Sequence, residues 1–182
     1  MFLLHRGFFT DRVTTKYAYV NICPPGSGLS NLTWIESPLK HHTTTSDLYR
    51  VSYAALNFRD VMLATGKLQP EAIPGYEKMQ DCLLGMEFSG YAQDGNRRVM
   101  GLCTAKALAT AVCADSRYIW DVPDGWSMAD AATVPIVYST AYYAMIVRGN
   151  LQPRESILIH SATGGVGTAA VTIALSMGCQ VS

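Results

Sequence analysis

Ser161-Ala-Thr-Gly-Gly-Val-Gly167 is the stretch whose residue types and spacing point most directly to chemistry. Small residues let a backbone come close to an anion, and the first turn of a helix offers unpaired N–H groups at a positive dipole end. A strand must precede such a turn and a helix must follow it. Ser156-Ile-Leu-Ile-His160 reads as an apolar strand of the kind buried on both faces of a parallel sheet. Val166, Ala170, Ile173, Ala174 and Met177 then fall on one helical stripe, with Gly178 as its C-terminal stop. Cys179-Gln-Val-Ser182 would begin a second strand. This order is the opening of a dinucleotide-binding β-α-β unit, in which Gly164 and Gly167 would admit the pyrophosphate and the close helix–strand packing. The first glycine of G-x-G-x-x-G is replaced by Ala162, and no Gly-Lys-Ser/Thr follows, so a phosphate loop of the P-loop kind is excluded. The plainer alternative is a tight turn without a ligand.

Asn57-Phe-Arg-Asp60 can be read as a helix start, with Asn57 as N-cap and Asp60 at the third position, or as part of a substrate pocket. Glu87, in Gly85-Met-Glu-Phe-Ser-Gly90, is either a buried, paired carboxylate or a loop carboxylate near solvent. His160 reads as a structural histidine before a base, and His41-His42 as solvated loop. Tyr138, Tyr142 and Tyr143 share a helix face and read as packing. No G-x-S-x-G elbow exists for a serine hydrolase.

Elements that could position these residues come in two sets. From Tyr17 to about Asp121 short strands alternate with turns: Tyr17–Ile22, Leu32–Glu36, Leu48–Ala55 and Arg98–Cys103 are rich in β-branched and aromatic residues. Pro24-Pro25-Gly26, Ile73-Pro74-Gly75 and Asp94-Gly95-Asn96 punctuate them, which predicts a small β-rich barrel or sandwich. One helix, Phe58–Thr65, closes at Gly66. Beyond Pro123-Asp-Gly-Trp126 the register changes. Ser127 caps a short helix over Met128–Thr133, Pro135 constrains its end, and Ser139–Arg148 predicts a second helix stopped by Gly149-Asn150. The expected organisation is a leader over 1–16, a β-domain over 17–124, and an α/β unit over 125–182.

Composition narrows the partners. With 49% hydrophobic and 15% charged residues among 182, a core is affordable and disorder is not expected. Fourteen basic residues balance fourteen acidic ones, which leaves no basic surface to track nucleic acid. The five cysteines, Cys23, Cys82, Cys103, Cys113 and Cys179, show no C-x-x-C spacing and read as reduced thiols of a cytoplasmic protein. No signal-peptide pattern and no apolar run of ~18 residues occur, so no membrane partner is expected.

Taken in order, these stretches resemble the medium-chain dehydrogenase/reductase superfamily, and within it the enoyl reductase domain of animal fatty acid synthase. The resemblance lies in Tyr53–Lys67, Leu83–Gly90, Trp120–Pro123, Val137–Tyr143, Leu158–Ser161 and Gly164–Gly167, and covers most of the chain from Tyr17. It implies a GroES-like β-barrel substrate domain followed by a Rossmann domain that binds NADPH. Tyr138 and Thr140, together with Ser161, Ala162, Thr163, Gly164, Gly165, Val166 and Gly167, would line the cofactor. The implied reaction reduces a trans-2-enoyl chain, thioester-linked to the phosphopantetheine arm of an acyl carrier domain, in a homodimeric, cytoplasmic multidomain synthase of fatty acid biosynthesis.

Two departures matter. Zinc-dependent relatives carry Gly-His-Glu where this chain has Gly85-Met86-Glu87, and a methionine there argues against zinc, so no metal is expected. Some enoyl reductases carry a proton-donating tyrosine where this chain has Leu68, which leaves the proton donor unassigned. Fifteen residues follow Gly167, whereas the residue that reads the adenosine ribose lies ~20 beyond the turn, so NADPH rests on the resemblance. The expectation is a Rossmann domain that stops short and a chain silent on its own. The competing readings are a quinone or small-enone oxidoreductase of the same superfamily and an inert fragment.

Overall fold

A computed structural model describes residues 14–23, 27–41, 47–73, 75 and 83–182. The readings placed on residues 1–13, Pro24–Gly26, Pro74 and Cys82, and on the side chains of His41 and His42, lie outside them. The chain divides into two units, one up to Thr133 and one from Val134.

In the first unit, strands β1 (Ala18–Ile22) and β2 (Leu32–Glu36) form an antiparallel hairpin. Five more strands, β3 (Leu48–Ala54), β4 (Glu87–Ala92), β5 (Arg98–Leu102), β6 (Ala111–Cys113) and β7 (Ile119–Asp121), make a sheet in the order β6-β3-β4-β5-β7. All its pairings are antiparallel. An isolated bridge, Tyr19 to Ala109, ties hairpin to sheet. Alternation along the strands sends Tyr49, Phe88, Val99 and Val112 inward, where they pack with Ala107 and Ala114. A second cluster, Tyr19, Ile22, Leu63, Ala64, Ile73 and Leu84, seats helix α1 (Phe58–Ala64). Between Val51 and Tyr53 the register with β4 shifts by one residue, a β-bulge. Gly90 answers it: a Cβ there would lie 1.9 Å from the Arg50 carbonyl oxygen.

Helix α1 ends as the sequence predicts. Gly66 takes φ 69°, its N–H reaches the Leu63 carbonyl at 3.1 Å, and the Lys67 N–H reaches Met62 at 2.9 Å, the paired bonds of a Schellman motif. Helix α2 (Met128–Ala132) is capped by Ser127, whose Oγ accepts the Asp130 N–H at 3.0 Å. Ser89 on β4, fully buried, donates its hydroxyl to the Met128 carbonyl and fixes α2 to the sheet.

The second unit comprises α3 (Pro135–Tyr142), a π-helical turn (Tyr143–Arg148), β8 (Ser156–Ile157), α4 (Gly165–Ser176) and β9 (Gln180–Val181). Strands β8 and β9 are parallel, flanking α4 in the expected β-α-β order. Two expectations need correction. The helix predicted over Ser139–Arg148 begins at Pro135, because a proline that ends one helix also suits the first position of the next, where no N–H is needed. The strand predicted to be buried on both faces is not: Leu158 is 66% exposed. Side chains alternate across a strand, and Leu158 faces the side opposite its half-buried neighbours Ile157 and Ile159.

Candidate functional site

The turn between β8 and α4 is the exposed centre of the second unit, with every residue from Ser161 to Val166 open to solvent. Its shape is set by Ser161, which adopts a left-handed φ of 56°, a conformation costly for any residue with a Cβ. The Ser161 carbonyl accepts the Gly164 N–H at 3.0 Å, and Thr168 Oγ1 closes back onto the Ala162 carbonyl at 3.3 Å.

The three glycines have different reasons to be glycine. At Gly167 a Cβ would lie 2.2 Å from the Ser161 oxygen and 2.7 Å from Ala162 Cα, so the turn could not close. At Gly165 a Cβ would stand 3.1 Å from Val137 Cγ1, on the side where α3 packs. At Gly164 the nearest atom is 3.5 Å away, an ordinary contact, and φ is −76°. Neither packing nor backbone conformation requires a glycine at 164.

The start of α4 is also left uncapped. The first N–H groups of a helix have no intrahelical acceptor, and α4 supplies neither a capping side chain nor an acidic residue in its first turn. The remaining residues expected to line a cofactor lie on α3. Tyr138 is half-buried against the core of Ala141, Ala169 and Ala170, and Thr140 is exposed. Of the tyrosines read as packing, Tyr142 and Tyr143 are more than half exposed, because the face of α3 turned to α4 is taken by Val137, Tyr138 and Ala141. His160 is exposed rather than enclosed, since it lies beyond the paired residues of β8.

The first unit holds a second polar arrangement. Asp60 and Glu87 are each only 1% exposed. Asp60 Oδ2 accepts the Asn57 N–H at 2.9 Å and its Oδ1 accepts the Gly85 N–H at 2.9 Å, while Asn57 Nδ2 donates to Glu87 Oε1 at 2.9 Å. The capping-box reading of Asn57 and Asp60 is what the geometry shows, and Glu87 is the buried, paired carboxylate of the two readings. Arg59 escapes the sequence reading: its Nη2 bridges the Leu83 and Thr104 carbonyls at 3.0 and 3.1 Å. A cation in the first turn of a helix opposes the dipole, and that mismatch was the available signal. Leu68, in place of a tyrosine, packs against the Tyr19–Leu84 core cluster. Burial, with a smaller contribution from Cys113, pushes the Cys103 thiol up to about 12. Among the described residues no group of three His, Cys, Asp or Glu could hold a metal ion, and no helix is long and apolar enough to cross a membrane.

Comparison with known proteins places this architecture. No family model matches the chain. It superposes on the CurK enoyl reductase with a TM-score of 0.76 at 28% identity, over 92% of this chain and 53% of that one. The quinone oxidoreductase of Thermus thermophilus, solved also with NADPH, gives 0.67 at 29% identity, over 91% and 52%. In sequence, erythronolide synthase EryA2 of Saccharopolyspora erythraea is 40% identical over 81% of this chain, and the highly reducing polyketide synthase claI of Penicillium crustosum 38% over 72%. The chain spans 4% and 6% of those two synthases and about half of the solved chains.

The fold is therefore that of the medium-chain dehydrogenase/reductases: a GroES-like unit followed by the beginning of a Rossmann domain. Within that class the chain is enoyl-reductase-like. The sequence relatives include polyketide synthases, where the resemblance read from the motifs had pointed to an animal fatty acid synthase.

Proposed function

We propose that this chain is part of a reductase that uses NADPH to saturate a trans-2-enoyl thioester carried on the phosphopantetheine arm of an acyl carrier domain. The observation that carries the reading is Gly164, a glycine the fold itself does not need, at the uncapped start of α4. A dinucleotide's pyrophosphate would sit there, held by the free N–H groups of Gly165, Val166 and Gly167. Tyr138, Thr140 and Ser161–Thr163 would line the rest of the cofactor. NADPH supplies a hydride when bound; the chain's own part is to hold its phosphates without a side chain in the way. The β-rich region over 17–124 would take the substrate, and the α/β region from 125 onward the cofactor. Relatives that are long synthases support a multidomain polypeptide of fatty acid or polyketide assembly; its homodimeric, cytoplasmic form is part of the same proposal. The resemblance of Asn57–Lys67 to the fatty acid synthase domain argues for a carrier-linked enoyl over a free quinone.

The test is Gly164→Ala and Gly164→Val in the intact polypeptide. NADPH affinity should fall at least tenfold with alanine and beyond detection with valine, while thermal stability stays within a degree or two. Unchanged affinity in both variants would sink the assignment. A second reading, a reductase of free quinones or small enones, is favoured by the likeness to the Thermus quinone oxidoreductase. Turnover of a free quinone at a rate exceeding that of crotonyl thioesters would select it.

A further inference from the structure

The sequence holds two Asp-Gly pairs, Asp94-Gly95 and Asp124-Gly125, both at the surface of the first unit. Such a pair sets an electrophile, the side-chain carboxyl carbon, beside a main-chain nitrogen that no side chain screens. Whether the two react depends on how firmly each is tied down. At Asp94 both are held. Its Oδ1 accepts the Asn96 and Arg97 N–H groups at 3.0 and 3.2 Å, and the Gly95 N–H donates to the Ala92 carbonyl at 2.9 Å. The hydrogen bonds from Asn96 and then Arg97 also hold the Asp94 carboxyl below its usual range. It is therefore seldom in the neutral form, from which oxygen departs most readily as water.

At Asp124 neither group is held. The Trp126 N–H reaches the Pro123 carbonyl at 3.2 Å and closes a turn with Asp124 and Gly125 at its centre, Gly125 at φ 87°. Among the described residues, the Asp124 carboxylate, the Asp124 carbonyl and the Gly125 N–H have no hydrogen-bond partner, and the space beside Gly125 is open. The peptide between the two residues can thus rotate until its nitrogen lies against Cγ, and glycine accepts the φ values the rotation passes through.

We infer that Asp124 is a site of spontaneous isomerisation to isoaspartate, and that Asp94 is protected from it by the hydrogen bonds of its own turn. The Gly125 nitrogen bonds to Asp124 Cγ, its proton and the carboxyl hydroxyl leave as water, and a cyclic imide results. Water then adds back at either imide carbonyl. Opening at Cγ restores aspartate. Opening at the former main-chain carbon leaves the chain running through the side chain, longer by a methylene, with no net change in atoms. The added length falls directly before Trp126, whose carbonyl receives Arg98 Nη2, and before Ser127, the cap of α2. None of this depends on the reductase reading above.

The experiment holds the intact polypeptide in mildly acidic buffer at physiological temperature. It is then digested with a protease that cleaves before aspartate but not isoaspartate, and the peptides are offered to a carboxyl methyltransferase specific for isoaspartate. In the native protein isoaspartate should build up at 124 roughly tenfold faster than at 94, the weight of the one or two hydrogen bonds that Asp94 must break. In concentrated urea, where neither turn persists, the two rates should converge. Asp124→Glu keeps the charge but would need a larger ring, and should leave the peptide spanning 124 without a methyl acceptor. Equal native rates, or faster reaction at 94, overturn the inference. So does a native protein that stays unmodified at 124 while urea produces isoaspartate there, or methylation of that peptide in Asp124→Glu.

Discussion

Helices α1 and α4 both start from a residue in extended conformation, Asn57 and Gly164, and they treat the same physical problem in opposite ways. At α1 the chain fills the start with its own groups: Asn57 and Asp60 close a capping box, and Glu87 anchors it from a neighbouring strand. At α4 no side chain caps the end, no acidic residue offsets the dipole, and the loop before it stays open to water. A helix start completed from within is a structural joint. One left incomplete keeps its electrostatic capacity unspent, as the proposed pyrophosphate site requires.

That contrast can be broken most forcefully at Gly167. Gly167→Val drives a side chain into the Ser161 carbonyl and should destabilise the second unit by more than about 3 kcal/mol in urea melts. Gly164→Ala, three residues earlier, should cost less than about 0.5 kcal/mol. Equal costs would remove the distinction between a glycine the fold needs and one it does not. At the other helix, Asp60→Ala strips acceptors from the Asn57 and Gly85 N–H groups in a buried place and should cost about 3 kcal/mol. Asp60→Asn, which keeps one acceptor, should cost less.

A smaller effect sharpens the picture of the first unit's interior. The Cys103 thiol stays protonated up to about 12 in the fold, against a value of 9.0 for an unburied thiol. The unfolded chain therefore releases this proton first as pH rises, so stability is flat below pH 9 and falls between 9 and 12. By about pH 10 the loss should be about 1 kcal/mol, measured as the difference in denaturation midpoint between the protein and Cys103→Ala. The smallest expected change is a gain: Ser161→Gly relieves the left-handed backbone and should stabilise the second unit by less than about 1 kcal/mol. A loss instead would mean that the serine side chain supports the turn.

The strand–turn–helix order around Gly164 was legible because each part has its own local signature: an apolar run, small residues, a helical stripe. So were the α1 start and the Gly66 stop, which depend on residues within one turn of each other. Other features were not, and the reasons are physical. Strands β6 and β7 are three residues each, too short for any alternation to register. The exposure of Leu158 depends on which layers cover a sheet, and the burial of Glu87 on a partner thirty residues away. The division of labour among Gly164, Gly165 and Gly167 appears only when a Cβ is placed on each backbone and its neighbours are inspected.

The pairing of β3 has a consequence for the time course of folding. This strand lies between β4 and β6, so its ladder waits for Ala111–Cys113 to leave the ribosome, and Ala18 waits for the Thr110 hydroxyl, 92 residues on. Closing loops of that length before any reward makes such assembly slow, and the nascent first unit would carry an unmatched strand edge through most of its own synthesis. The pairing of β8 with β9, by contrast, spans a single helix and can form as soon as that helix and β9 are made. That pairing asks for far less chain than the β3 ladder does before its first reward.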